Sequence, residues 1–386
     1  MTTAVVRVAA PWLALLAAPM SFGIAGLALI LPEAADVLQV SLASATVIVV
    51  AFGWGIAVGT PLLAGLLSHK GTRFTLLACA ALVGAGTVLM VAVPALPVLV
   101  VGSALQALGM AGQVVIAMHL AGTPAALGVV TASMASVGAV SPLAGSAVAD
   151  LLSWQAVLAL PALSLLAIPA IIGRALPAPP AERQFDATGA ILVTALVTAL
   201  TVVPHQPLIA AAAAVLAAVL VAAHLRREPD GFLPAILVRT PEFRTAALLG
   251  VALAVANFGI LYAAPRMLAD RLAWTTGEVG TLMVFPYLAG GLASWFLITA
   301  AARMLLGGLA AAATIAVVIV VLGSPVALLV VAMFLASLVA ATGQGVLVVR
   351  ATGALPDRYR ATAVGMITLC YLLGAAFGPA IAALAA

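Results

Sequence analysis

The sequence predicts an all-α integral membrane protein with about thirteen membrane-crossing helices. Two features of the composition lead to this prediction: hydrophobic residues make up 66% of the 386-residue chain, and charged residues make up only 7%. A soluble domain has roughly one half and one quarter. Nearly every window of about 20 residues is apolar enough to cross a bilayer as a helix. The lipid bilayer is therefore the first partner that we expect.

Proline, glycine and charged residues divide the chain into thirteen apolar spans. Their approximate limits are 8–31, 44–67, 73–93, 97–119, 125–149, 155–174, 187–203, 207–225, 243–264, 275–300, 303–322, 325–349 and 361–384. Short breaks such as Pro94–Pro97 and Gly323–Pro325 predict tight turns between antiparallel helices.

Two longer polar segments, 177–186 and 226–244, group the spans as six, two and five. We therefore predict three parts. They are a six-helix bundle over 1–176, a cytoplasmic linker with an inserted two-helix hairpin over 177–238, and a five-helix bundle over 239–386.

The basic residues predict the orientation of these spans. With the N-terminus in the cytoplasm, thirteen of the fifteen Lys and Arg residues fall on the cytoplasmic side, and only Arg266 and Arg271 fall outside. Cytoplasmic loops usually carry such an excess. We therefore expect a multi-pass protein of the cell (cytoplasmic) membrane, with the C-terminus outside. The excess of Arg over Lys and the abundance of Ala suggest a bacterial inner membrane.

A stripe of small residues marks the fifth span. Gly138, Pro142, Gly145 and Ala149 recur at helical spacing, so one face of this helix carries almost no side chains. Small residues let a neighbouring helix approach closely, and Pro142 removes a backbone N–H and bends the helix. By geometry alone, the stripe is a helix-packing site.

The order of residues in this stripe, with Ser146 after Gly145, resembles the fifth-helix antiporter motif of the major facilitator superfamily, and Trp154-Gln155 further on resembles the Trp-Arg pair that opens the sixth helix of that family. Further landmarks resemble the fourteen-helix drug:proton antiporter branch of that family. In chain order, they are Leu31-Pro32 at the end of the first span, the loop AGLLSHKGTR at Ala64–Arg73, Gln106 with Gly109 and Gly112, Phe185-Asp186 with Gly189, and Leu233-Pro234 with Phe243-Arg244. The resemblance covers the whole chain. It implies a major facilitator-type fold of two helical bundles and transport by alternating access.

Four positions depart from the pattern of this branch. In the loop, the acidic position is Ser68 and the first glycine is Ala64; the fourth-helix position that often carries Arg is Ser103, and the first-helix position that commonly carries Asp is Gly23. The missing charges are those that the family ties to proton coupling or gating. The chain also stops after the thirteenth span, so the peripheral fourteenth helix is either natively absent or lost by truncation. The resemblance assigns motif or conformational roles to Gly138, Pro142, Gly145, Ser146, Ser68, Gly71 and Arg73.

Neutral polar residues are the candidates for a substrate site, because the predicted spans place no charged residue at mid-membrane. A buried amide must be hydrogen-bonded in lipid, so contact between helices is the alternative reading of each candidate. Analogy with the family favours a substrate-binding role for Gln106, Gln113, Asn257, Tyr287 and Tyr371, with Trp54, Phe22 and Phe52 as aromatic walls. Such a cavity suits a lipophilic small-molecule substrate of low charge.

Proton coupling requires a group that titrates while both sides of the membrane reach it in turn. The candidates are Asp150, Asp36 and His119, all near the ends of spans. A solvated helix end is the alternative reading of each.

The sequence contains no phosphate loop, no paired His/Cys metal spacing and no Ser-His-Asp arrangement. We therefore expect no cofactor, no bound metal, no nucleic-acid partner and a monomeric protein. The leading hypothesis is a secondary exporter of a lipophilic drug or secondary metabolite, with protons as the candidate coupling ion. The alternative is a fold of this type without transport, serving as a membrane-embedded enzyme or binding partner in the biosynthesis of a lipophilic metabolite. The altered motifs motivate this alternative.

Overall fold

The computed structural model describes residues 8–174, 185–204, 206–274, 276–300 and 305–384. Within these ranges all regular elements are helical, as the sequence predicts. The helices are α1 Ala10–Ala17, α2 Met20–Leu38, α3 Leu42–Ala45, α4 Val47–Ala92, α5 Leu96–Leu120, α6 Pro124–Leu151, α7 Trp154–Ala159, α8 Ile168–Ile172, α9 Ala187–Val202, α10 Pro207–Arg227, α11 Ala235–Arg239, α12 Pro241–Leu272, α13 Thr276–Ala300, α14 Leu305–Val321, α15 Val326–Gly353 and α16 Arg360–Leu384. Eight of the described helical stretches are long and apolar enough to cross a membrane, and three shorter ones are apolar.

The thirteen predicted spans correspond to these helices. The first span comprises α1 and α2, the second and third lie in α4, and the sixth comprises α7, the 3₁₀ segment Leu160–Ala167 and α8. Parts of three predicted features lie outside the described residues: most of the linker 177–186, position 275 at the start of the tenth span, and the start of the eleventh span. The basic residues Arg7, Arg183 and Arg303 also lie outside them.

Two predicted helix ends are wrong. Leu31-Pro32 does not end the first span, because α2 continues to Leu38. A proline within a helix forfeits one backbone hydrogen bond, which the other turns of a long helix can tolerate. The helix ends instead at Gln39, which adopts a left-handed conformation and donates from Nε2 to the Asp36 carbonyl. Similarly, α12 runs eight residues past the predicted end of the ninth span, to Leu272.

Gly71 separates the second and third spans inside α4. Its φ of 77° and ψ of 175° lie in a region that only glycine adopts without strain. We expect Gly71→Ala to destabilise the protein by about 1–3 kcal/mol, measured as a lower thermal unfolding midpoint in detergent. Gly173→Ala is the control, because Gly173 has a φ of −70° and open space around its Cα. Equal midpoints for the two variants would contradict this account.

For description, α1–α8 are the first half, α9–α10 the hairpin and α11–α16 the second half. The hairpin packs against α4, where Trp54 Nε1 donates to Thr198 Oγ1 at 3.0 Å. One end of the molecule, here called the linker end, brings together the turn at Gly71, the segment 228–234 and the start of α16. At the opposite end, the Arg271 guanidinium donates to the carbonyls of Gly323 and Ser324, joining α12 to the turn between α14 and α15.

Asp186 joins the two hairpin helices at the linker end. Its carboxylate accepts hydrogen bonds of 2.8 Å from the backbone N–H groups of Gly189 and Phe232 and contacts His224 Nε2, also at 2.8 Å. Partial burial acts to raise the pKa of this carboxyl, but the two N–H donors and the imidazole outweigh burial and hold the pKa below its ordinary value. The ionised form is therefore the one that the fold stabilises.

The stability that Asp186 contributes should be present near neutral pH and lost in acid. Because the pKa is lowered on folding, the contribution is complete above the ordinary carboxyl pKa of about 3.9 and disappears as the pH falls through the folded value. At neutral pH we expect Asp186→Ala to cost about 1–2 kcal/mol, and the difference from the parent should shrink in acid when thermal unfolding is followed against pH. Asp357→Ala is the control, because the Asp357 side chain is fully exposed. A difference that persists unchanged below the folded pKa would contradict the assignment.

Candidate functional site

A cavity with a volume of about 250 Å³ lies between the first and second halves. Two first-half helices, α2 and α6, form one wall, and α12, α13, α15 and α16 form the other. Its polar lining residues are Ser21, Thr131, Asn257, Tyr287, Ser337, Gln344, Thr368 and Tyr371. None of the described lining residues is charged. A charged ligand would therefore lie in an apolar site without a countercharge, which is costly.

The hydroxyl groups of four lining residues are satisfied within their surroundings. Ser21 Oγ donates to the Met134 carbonyl and Ser337 Oγ to the Tyr287 carbonyl, at 2.9 and 2.6 Å. Thr131 and Thr368 donate back to carbonyls of their own helices. These groups stabilise the helices and leave little capacity for a ligand.

Two lining residues carry buried polar atoms without a hydrogen-bond partner. They are Asn257 Oδ1 on α12 and the Tyr287 hydroxyl on α13. The residues are 9% and 8% exposed, so water reaches them little. A buried polar atom without a partner costs about 1–3 kcal/mol. A ligand that donates to Asn257 and hydrogen-bonds Tyr287 would recover that cost.

The two walls differ in chemistry. Asn257, Tyr287, Gln344 and Tyr371, which carry all the amide and phenol groups, belong to the second half, and the Phe258 ring meets the Tyr371 ring edge-on at 6.2 Å. The first half contributes mainly apolar side chains. These include Met20, Ile24, Met134, Ala135, Ala139 and Pro142. The cavity therefore fits an amphipathic molecule with one polar edge.

The two halves pack together between this cavity and the linker end. Gly128 of α6 faces Trp295 and Ile298 of α13, and a Cβ atom at Gly365 of α16 would overlap Ala64 of α4. Gly365 allows a close helix contact that any side chain would prevent, and a Cβ atom at Gly128 would lie 3.1 Å from Trp295 Cδ1. The cavity is therefore separated from the linker end in this conformation.

The structure places three of the five predicted amide and phenol residues in the cavity: Asn257, Tyr287 and Tyr371. It does not bring Gln106 there, because Gln106 Nε2 donates to Thr87 Oγ1 at 2.7 Å and to the Leu158 carbonyl at 2.9 Å. Gln113 is fully buried outside the cavity lining, and neither of its amide atoms has a partner.

The predicted aromatic walls lie elsewhere. Trp54 contacts the hairpin, and Phe22 is half-buried outside the cavity lining. Phe52 is buried against Gly23, where a Cβ atom would overlap its ring. An aspartate at position 23 would therefore require the Phe52 ring to move.

The predicted motif residues have mixed surroundings. Gly138 and Pro142 line the cavity, and Gly145 is buried in α6. Ser146 and Ser68 are exposed and donate to carbonyls of their own helices, and Arg73 is exposed next to the turn at Gly71. Ser103, where the resembling branch often has Arg, instead donates to the Ile48 carbonyl at 2.9 Å and joins α5 to α4.

None of the three proton-coupling candidates lines the cavity. Asp36 and Asp150 are exposed on α2 and α6, and His119 lies near the linker end of α5 with its Nδ1 buried and without a partner. The described residues also contain no group of three or more His, Cys, Asp or Glu side chains that could hold a metal ion.

Several lining residues were not among the predicted site residues, notably Phe258, Ser337, Gln344 and Met283. Helical spacing could have found some of them. One face of α15 carries Ser337, Ala340, Ala341 and Gln344. If any one of these residues is known to line the cavity, helical spacing predicts that the others line it too.

The chain matches the family model described as Major Facilitator Superfamily over residues 12–379. No curated protein sequence matches it. Solved structures with a similar fold include the human organic anion transporter MFSD10 (TETRAN), with a TM-score of 0.66, 15% identity and coverage of 96% of this chain and 91% of that chain.

Two further solved structures are also similar. The proton:xylose symporter XylE bound to 6-bromo-6-deoxy-D-glucose has a TM-score of 0.58 and 15% identity, covering 96% of this chain and 86% of that chain. The POT family transporter PepTSo has a TM-score of 0.57 and 14% identity, covering 95% and 88%. At these identities the likeness concerns the fold.

Proposed function

Since the chain belongs to the major facilitator superfamily, we propose that it is a secondary transporter that exports an uncharged, lipophilic small molecule by alternating access. The main support for this class of substrate is the cavity between the two halves. Its described lining contains no charge, and two buried polar atoms there, Asn257 Oδ1 and the Tyr287 hydroxyl, lack partners. An uncharged molecule with a hydroxyl or amide on one edge would need no countercharge and could hydrogen-bond these two atoms.

The cavity also limits the size of the substrate. Its volume of about 250 Å³ lies just below the range of roughly 300–1,000 Å³ that holds drug-sized ligands. Sugars suit it poorly, because a molecule with many hydroxyl groups would leave most of them unpaired against apolar walls. We therefore expect compact substrates with one or two polar groups.

An efflux assay tests this proposal. Cells expressing the chain are loaded with 1-naphthol, a neutral lipophilic fluorescent dye with one hydroxyl, or with ethidium, a permanent cation, and dye loss is compared with that of cells carrying an empty vector. We expect faster loss of 1-naphthol and no change for ethidium. Equal export of both dyes would refute an uncharged-substrate requirement. Loss at the empty-vector rate, with the protein present in the membrane, would favour the non-transport alternative.

Proton coupling is proposed from the sequence resemblance and is tested by the same assay with a protonophore. If collapsing the proton gradient stops 1-naphthol efflux, coupling is supported, and Asp150, Asp36 and His119 become the first residues to replace. Because no described lining residue is acidic, a coupled mechanism would place the titrating group outside the cavity. Efflux that ignores the protonophore would instead indicate a facilitator.

A further inference from the structure

The segment 228–234, between the hairpin and the second half, contacts three parts of the molecule. Its link to the hairpin is Asp186, which accepts from the Phe232 backbone N–H at 2.8 Å. The fit is close, because a Cβ atom at Gly189 or Gly231 would overlap Asp186 Oδ2. The hairpin therefore holds this segment in a defined conformation.

The contact with the first half is made by the Phe232 side chain. This ring is 7% exposed and lies against Gly65 near the linker end of the second span, where a Cβ atom would overlap it. It also meets the Phe185 ring edge-on at 6.0 Å, and the Phe185 ring lies 5.7 Å from the His69 ring. The segment is thereby packed onto the loop between the second and third spans.

The contact with the second half is a hydrogen bond. The Tyr359 hydroxyl, just before α16, donates to Asp230 Oδ1 at 2.9 Å, and Tyr359 is 8% exposed. The Arg358 guanidinium lies over the Tyr359 ring at 4.6 Å from its centroid. The bond joins an anionic acceptor to a largely buried donor, a combination that makes a strong hydrogen bond.

These contacts lie where the two halves must separate if the cavity is to open towards the linker end. Ala64, next to Gly65, packs against Gly365 of α16. Moving α16 away from this point would also carry Tyr359 away from Asp230. The same displacement therefore opens the closed end and breaks the hydrogen bond.

We propose that segment 228–234 is a latch that stabilises the conformation closed at the linker end, with the hairpin as its anchor. The inference rests on the proposed alternating access. It gives the hairpin a conformational role, although its helices lie at the edge of the bundle. It also supplies, through Asp230 and Tyr359, a connection between the halves near Ser68, where the resembling branch would have a carboxylate.

A distance measurement in lipid bilayers tests the latch without any substrate, so its outcome is independent of the substrate proposal. Nitroxide labels are attached to cysteines at two exposed positions on opposite halves, Lys70→Cys and Asp357→Cys. Cys79 is fully buried and is kept, and Cys370 is replaced by Ala. Pulsed electron paramagnetic resonance then gives the populations of short and long separations.

The Tyr359→Phe variant removes only the hydroxyl and keeps the ring under Arg358. We expect its ratio of long to short separations to rise about three- to tenfold, the effect of losing one hydrogen bond. Tyr262→Phe makes the same chemical change at a tyrosine that is 56% exposed and should leave the ratio unchanged. An unchanged ratio in Tyr359→Phe, or an equal rise in both variants, would overturn the latch.

The anchor is tested by Asp186→Asn, which can still cap α9 but loses the charge that pairs with His224. We expect the long separation to increase here as well. A rise in Tyr359→Phe without one in Asp186→Asn would overturn the role of the hairpin and leave the Asp230–Tyr359 bond alone as the latch.

Discussion

Gly86→Leu is expected to destabilise the folded protein severely. At Gly86, in the third span, a Cβ atom would lie 2.5 Å from the Gly102 carbonyl oxygen and 2.6 Å from the Gln106 backbone nitrogen. Both are backbone atoms of α5, so no side-chain rotation relieves the overlap. Forcing the helices apart should cost about 3 kcal/mol or more, a large part of the roughly 5–15 kcal/mol that stabilises a typical protein.

The measurement is the yield of monodisperse protein in detergent by size-exclusion chromatography, which should fall at least tenfold. Gly84→Leu is a closely matched control, because Gly84 lies two residues earlier in the same helix and has no atom within 4 Å of an added Cβ. We expect its yield to equal that of the parent. Similar yields for the two variants would mean that α5 does not approach the third span as closely as described.

The second large effect is expected from the double variant Asn257→Leu, Tyr287→Phe. Tyr287→Phe removes a hydroxyl and Asn257→Leu removes a whole amide, so that the two atoms without a partner within the protein, the Tyr287 hydroxyl and Asn257 Oδ1, are both lost. If a substrate satisfies both atoms, the loss of two hydrogen bonds should weaken its binding about 100-fold, or about tenfold for each. The empty protein should lose little stability, since each unsatisfied buried polar atom is itself destabilising. Substrate binding should therefore be weakened far more than the fold.

This prediction is measured as the concentration dependence of 1-naphthol efflux, because its hydroxyl can donate to Asn257 Oδ1 and accept from the Tyr287 hydroxyl, together with the thermal unfolding midpoint. Gln113→Leu is the matched control, because Gln113 is also a buried amide without a partner but does not line the cavity. It should leave the efflux unchanged. Equal losses of efflux in the control and the double variant would indicate a general effect on folding. Unchanged efflux in the double variant would place the substrate elsewhere.

The helical fold could be predicted because each span leaves a local signature in the sequence. Apolar runs of membrane-crossing length, with Pro, Gly and Arg between them, locate the helices without reference to tertiary contacts. The wrongly predicted helix end at Pro32 also has a local cause. Pro32 resembles a helix end, but the end at Gln39 depends on a side-chain bond to the Asp36 carbonyl that the hydropathy pattern does not show.

The site could be predicted only in part. Helical spacing shows which residues share one face of a helix, but not whether that face contacts a cavity or another helix. Gln106 and Gln113 share a face of α5. In the most apolar 18-residue stretch of this helix, 72% of the residues are buried, so the helix has protein around most of its circumference. A polar residue on it can therefore point at a cavity or at another helix. Trp54 donates to Thr198, 144 residues away, and no local pattern indicates such a contact.

The bond from Gln106 to the Leu158 carbonyl has a consequence for how this protein can change in evolution. Leu158 precedes a 3₁₀ segment, in which its carbonyl would accept from the residue three positions on. That residue is Pro161, which has no N–H. The Gln106 amide thus replaces a donor that the proline lacks, and positions 106 and 161 should vary together. A homologue without proline at 161 should be free to lose the amide at 106, whereas one that keeps the proline should retain a donor there.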